Sequence, residues 1–345
     1  MIDDLLSATR SVQNAFADVF ALTPRLVLAQ TPRDTIPLEG GAALYHFRGA
    51  TKATGAPLLL VPSLINRWYV LDLRPGASLV EALVGAGIDV WLLDWGAPEP
   101  EDRYLDWEAI LARLGRASRR VLRETGASRH GLLGYCMGGT LTTIHAAQHP
   151  DTLTALVTLA APIDFSKGGM LRAMVDPRWF DPDAIADAGN VAPNQMQAGF
   201  TTLRPTLDLA KQMSMPDLAT DPKAREAFLA LDAWASDNIA FPAAAYRRYI
   251  GELYQRNELV TGTHRVNNRE VSLRAITCPT LAITATRDQI CPAAAATALL
   301  DLVGSTDTGV LEVQGGHVGA VVGSRAARDM YPALARWLAP RLGTP

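Results

Sequence analysis

Gly131-Leu132-Leu133-Gly134-Tyr135-Cys136-Met137-Gly138-Gly139-Thr140 is the stretch on which the reading of this chain turns. It spells G-x-C-x-G, with an apolar run before it and a helical pattern after it. A strand that bends sharply into a helix, with a nucleophile at the bend, has this form. The glycines follow from the geometry: side chains at 134 and 138 would collide with neighbouring backbone at so tight a corner. The helix start beneath Cys136 offers free N–H groups and a positive dipole end, which favour a thiolate and an oxyanion. The plainer alternative is a buried cysteine in a glycine-rich turn.

Working outward, short apolar runs alternate with helical patterns. Strands are expected at 42–47 (an outer strand), 57–61, 90–94, 131–135, 155–160, 280–286 and 310–313. Helices are expected at 78–86, 107–125, 140–149, 293–303 and 325–338. Strands that are apolar almost throughout, separated by helices, predict a mostly parallel, doubly wound α/β sheet covered on both faces. The alternation breaks at 166–245, a stretch rich in Met, Ala, Asp and Pro, which reads as an inserted helical cap over the strand ends. The core is then 36–165 with 246–345, preceded by an amphipathic helical segment over 1–35. In that segment Ile2, Leu5, Leu6, Val12, Phe16, Val19 and Phe20 recur at roughly helical spacing. Its apolar face packs on the core or docks a partner or an apolar particle.

Composition narrows the function classes. The 345 residues carry 32 Lys+Arg against 35 Asp+Glu, a net charge of −3, so nothing points to nucleic acid or an acidic membrane. The run Arg116, Arg119, Arg120, Arg123 reads as a solvated helix face. Three cysteines, Cys136, Cys278 and Cys291, argue against a disulfide framework and for a reducing compartment. Met1-Ile2-Asp3-Asp4 is acidic where a signal peptide is basic, and no apolar run is long enough to span a bilayer. A cytoplasmic location is expected, with binding to an apolar inclusion left open.

On a sheet of this kind a triad runs nucleophile, acid, histidine in chain order. Of the six histidines, His46 and His130 precede Cys136, and His145 and His149 lie on the helix leaving it. His264 sits in a polar stretch. His317, in Gly315-Gly316-His317-Val318-Gly319 after the last strand, can swing over the bend and is the expected general base. Asp288 follows the 280–286 strand and is the expected carboxylate, against the reading of a turn-capping aspartate. Asp94, Asp164 and Asp237 are weaker candidates. The expected oxyanion donors are the backbone N–H of Met137 and that of Ile65, or its neighbour Leu64, after the 57–61 strand. Cys278 and Cys291 read as packing residues.

Several segments resemble the polyhydroxyalkanoate synthases, over about residues 57 to 340. They are Ile65-Asn66-Arg67-Trp68-Tyr69-Val70-Leu71-Asp72-Leu73, Leu92-Leu93-Asp94-Trp95-Gly96, the Cys136 box, Trp234-Ala235-Ser236-Asp237-Asn238 with Phe241-Pro242, Leu253-Tyr254-Gln255-Arg256-Asn257-Glu258-Leu259, and the His317 loop. The resemblance implies an α/β-hydrolase fold and an acyltransferase that polymerises 3-hydroxyacyl-CoA, short-chain units such as 3-hydroxybutyryl-CoA included, through an acyl group on Cys136. It implies no cofactor and no metal, since the CoA thioester is the substrate. In length the chain resembles the catalytic subunit of the two-component classes. That implies an accessory synthase subunit, a homodimer or hetero-oligomer, and a place at the granule surface. Asp288 would also help activate the attacking hydroxyl. Gln289 departs from the family, which usually has histidine directly after its aspartate, and Cys291 stands where Val is common. Two rival readings are a hydrolase (a thioesterase or polyester depolymerase) and a catalytically idle granule protein.

Overall fold

The computed structural model describes residues 26–49, 53, 55–202 and 220–343. The expected helix over residues 1 to about 24 lies outside them. An eight-stranded sheet organises the rest. Its strands are β1 (Arg33–Pro37), β2 (Ala43–Phe47), β3 (Leu58–Val61), β4 (Val90–Asp94), β5 (His130–Tyr135), β6 (Leu153–Leu159), β7 (Thr280–Ala285) and β8 (Thr308–Val313). They run in the order β1-β2-β4-β3-β5-β6-β7-β8. The pairs β1/β2 and β2/β4 are antiparallel, and every pair from β4 through β8 is parallel.

Alternation along each strand builds two cores. Leu59, Val61, Leu93 and Leu132 face one side, against Ile110 and Leu114 of α2 (Trp107–Thr125) and Leu141 and Ile144 of α3 (Met137–Gln148). Leu58, Leu60, Leu92 and Leu133 face the other, against Leu79 and Leu83 of α1 (Leu79–Gly85) and Leu334 and Leu338 of the C-terminal helix Tyr331–Leu342. All four β3 residues are buried, and each leucine contributes about 2 kcal/mol or more by leaving water. Side chains buried on both faces are why these strands read as unbroken apolar runs. The helix boundaries are also local: Asp106 caps α2 by accepting from the Ala109 N–H at 2.8 Å, and Gly126 ends it at φ 73°.

Two expectations are corrected at the sheet edge. The 42–47 strand is not outermost, because β1 pairs beyond it. Residues 33–35, assigned to the N-terminal helical segment, belong to β1. Arg-Asp-Thr-Ile-Pro has one strongly apolar residue and ends in proline, a composition tolerated at an edge and silent in an apolar scan.

Between β6 and β7 the chain leaves the sheet. Helices form at Gly169–Met174, Pro182–Asp187, Pro193–Thr202, Pro222–Ser236 and Ala243–Arg248. The last continues into a π-helical turn, Tyr249–Gln255. The chain rejoins the sheet at Thr280. No described helix is long and apolar enough to cross a membrane.

Candidate active site

Cys136 occupies the corner between β5 and α3 with φ 54° and ψ −128°, a strained conformation for a residue with a side chain. The Leu159 carbonyl accepts its N–H at 2.9 Å, and its own carbonyl accepts the Gly139 N–H at 2.9 Å. A Cβ on Gly138 would strike the Val61 and Pro62 carbonyls, and one on Gly134 would lie 2.5 Å from the Gly138 carbonyl. Gly139 is constrained too, by the Ala161 side chain, a requirement the spacing alone did not reveal.

Three loops at the carboxyl ends of β5, β7 and β8 bring Cys136, Asp288 and His317 together. His317 Nδ1–H and Asp288 Oδ2 are 2.7 Å apart. Asp288 Oδ1 accepts the N–H groups of Ile290 (2.9 Å) and Cys291 (2.8 Å), so both carboxylate oxygens are assigned and the group is fixed. Asp288 therefore also caps the turn after β7, so the two readings of this aspartate hold together. Burial by itself would pull the His317 imidazole down; the Cys136 sulfur and the Asp288 carboxylate outweigh it and push it up to about 10. With Nδ1 committed to Asp288, Nε2 is the nitrogen left for the thiol. The Tyr135 ring packs 5.4 Å from the imidazole, centroid to centroid.

Met137 is the first residue of α3, so its N–H has no preceding turn to bond. It and Ile65 line the same cavity as Cys136; Leu64 is buried beneath. The Ile65 loop is held from both sides. Trp95 Nε1 donates to the Pro62 carbonyl at 3.0 Å. From the end of helix Pro222–Ser236, Trp234 Nε1 donates to the Arg67 carbonyl (2.9 Å), and Asp237 accepts from Arg67 (3.0 Å) and the Tyr69 hydroxyl (2.8 Å). Two segments far apart in sequence thus form one clamp.

The cavity over Cys136 has a volume of 270 Å³. It is lined by Leu171 and Met196 from helices between β6 and β7, by Phe180 from the loop after the first of them, and by Phe241, Tyr249 and Tyr254. Such a lining offers water few partners beside the sulfur.

The remaining candidates have structural partners. Asp94 accepts from the Tyr45 hydroxyl (2.9 Å) and the Gly96 N–H (3.0 Å), and Asp164 accepts from Ser166 Oγ (2.6 Å) and Asn257 (2.9 Å). His46 pairs with Asp89 at 2.8 Å and stacks on Trp91. His130 is buried against Ser118, and burial takes it down to about 4. His145 and His149 pack together along α3. Burial pushes the Cys278 thiol up to about 11, and burial beside Asp288 and Cys136 pushes Cys291 well up. His264 is buried with Nδ1 3.2 Å from Glu252 and 3.7 Å from Glu258. Those three could in principle hold a metal. However, Arg248 donates to both Glu252 oxygens and Arg256 to Glu258, so guanidinium charge already answers the carboxylates. On α2, Arg116 and Arg120 pair with Glu39 and Glu124, as a solvated face does.

A sheet of this order, with a strained cysteine between strand and helix and a histidine–carboxylate pair beside it, defines an α/β-hydrolase-fold protein. Residues 56–323 match the family described as alpha/beta hydrolase fold, and residues 2–83 match the one described as Poly-beta-hydroxybutyrate polymerase (PhaC) N-terminus. The chain belongs to the poly(3-hydroxyalkanoate) polymerase family. It is 34% identical over 318 residues to the "Poly(3-hydroxyalkanoate) polymerase subunit PhaC" of Allochromatium vinosum, covering 90% of this chain and 89% of that protein. To the protein of the same name from Haloferax mediterranei it is 32% identical over 336 residues, covering 96% of this chain and 68% of that one. A soluble variant of monoglyceride lipase from Saccharomyces cerevisiae shares the fold, with a TM-score of 0.57 at 14% identity over 92% of this chain and 100% of that one.

Proposed function

We infer that this chain is a poly(3-hydroxyalkanoate) polymerase subunit, an acyltransferase that joins 3-hydroxyacyl units from CoA thioesters into a polyester. The observation that carries the mechanism is the meeting of Cys136 with the His317–Asp288 pair beneath an apolar cavity.

In this reading His317 takes the Cys136 proton and the sulfur attacks the thioester carbonyl. The N–H groups of Met137 and Ile65 hold the oxyanion. The C–S bond to CoA breaks, the CoA sulfur takes the proton from His317, and the acyl group stays on Cys136. The hydroxyl of a second hydroxyacyl unit then gives its proton to His317 and attacks the acyl carbonyl, forming the ester and freeing the thiol. Asp288 keeps the imidazole oriented throughout. An apolar cavity suits this transfer, because water in place of the hydroxyl would end the chain. An accessory subunit and attachment to the polymer granule belong to the same proposal.

Incubation of the protein with 3-hydroxybutyryl-CoA, with and without a partner subunit, tests the reading. Turbidity accompanied by CoA release supports it. Free 3-hydroxybutyrate with no polymer makes the protein a hydrolase and rejects it.

A further inference from the structure

An acyl group carrying a 3-hydroxyl brings a polar atom into a cavity built from apolar side chains. Leaving that oxygen without a partner costs roughly ten- to a hundredfold in affinity. Apart from Cys136, the cavity-lining side chains that can hydrogen-bond among the described residues are Gln195, Tyr246, Tyr249 and Tyr254. Gln195 is exposed and its side-chain oxygen already accepts the Ala192 N–H at 2.9 Å. Tyr246 is half-buried at the side. Tyr249 and Tyr254 are 6% and 5% exposed, so they are the deep polar groups of the cavity.

Their pairing is a product of the π-helical turn Tyr249–Gln255. Hydrogen bonds in such a turn run to the fifth residue, so positions five apart share a face, as they would not in an α-helix. The two rings meet edge to face with centroids 5.5 Å apart and an interplanar angle of 75°. Burial pushes both phenols upward, so both retain their protons. A bond between the two hydroxyls uses one of their two O–H groups and leaves the other to donate into the cavity that both side chains line.

We propose that the Tyr249–Tyr254 pair is the subsite that recognises the 3-oxygen of the acyl group on Cys136, and so selects 3-hydroxyacyl over plain acyl thioesters. The proposal rests on the acyltransferase reading above. One phenol donates to the oxygen and the other positions it. Discrimination of this kind is large when a site is built to bond a hydroxyl, because the analogue without it leaves the site's own polar group unpaired.

The test compares 3-hydroxybutyryl-CoA with butyryl-CoA in single-turnover loading of the full-length protein, followed by CoA release and by the intact mass of the acylated chain. The wild type is expected to favour the hydroxylated thioester by about tenfold or more in kcat/KM. Tyr249→Phe and Tyr254→Phe should each lower that preference, mainly through the hydroxylated substrate, and the double variant should remove most of it. A wild type that loads both thioesters equally overturns the proposal without any variant and leaves the acyltransferase reading intact. So does a folded Tyr249→Phe/Tyr254→Phe double variant that keeps the full preference. If neither thioester loads Cys136, the acyltransferase reading itself fails.

Discussion

Two buried histidines in this molecule stand against carboxylates, and their surroundings set them apart. His317 has one carboxylate, Asp288, whose second oxygen is tied to backbone N–H groups. It is free of other cations and faces a thiol and a cavity. His264 has two carboxylates, Glu252 and Glu258, but Arg248 and Arg256 hold both of them. It closes an ion network that ties the π-helical turn to α2 through Arg248 and Glu108. A histidine–carboxylate pair therefore says little about chemistry by itself. What the imidazole's second nitrogen meets decides whether the pair moves protons or braces the fold.

That contrast can be broken by substitution. Cys136→Ala should lower CoA release from 3-hydroxybutyryl-CoA by at least about 10⁴-fold, with the melting temperature little changed. His317→Gln should cost about 10³- to 10⁴-fold in the same assay, measured on the folded fraction. A His317→Gln that kept its activity would erase the distinction between the two histidines. His264→Ala should behave the opposite way, losing about 2–4 kcal/mol in denaturant unfolding while the folded fraction still loads Cys136. A smaller effect sharpens the comparison. Because His317 is pushed up to about 10, its protonated form adds stability that is fully present below the ordinary histidine value of 6.5. That stability is lost as pH rises through about 10. The gap in melting temperature between wild type and His317→Gln should narrow across that range, and a constant gap would contradict it.

The regions differ in how plainly the chain announced them. Central strands such as Leu58–Val61 and Thr280–Ala285 are buried on both faces, so composition alone marks them. β8 begins at Thr308, two residues before the expected start, because its first half alternates exposed and half-buried positions. The glycines flanking Cys136 and His317 marked the corner and the loop that carry them. Tyr249 and Tyr254 were invisible as a pair, since a spacing of five fits no α-helical face and takes meaning only in the π-helical turn. Trp234 stood out only within a matched family segment, and Asp237 there and as a weaker candidate for the carboxylate; their work as a clamp on the Ile65 loop appears only in three dimensions.

The modest size of the cavity has a consequence for the product. If a polyester grows from Cys136, 270 Å³ can shelter only its newest end, and older units must pass outward from the cavity. Such an enzyme carries no ruler. The molecular mass of the polymer would then be decided by how often an outside nucleophile intercepts the live ester, and changes to the cavity walls would alter which monomers enter while leaving the final length to supply and competition.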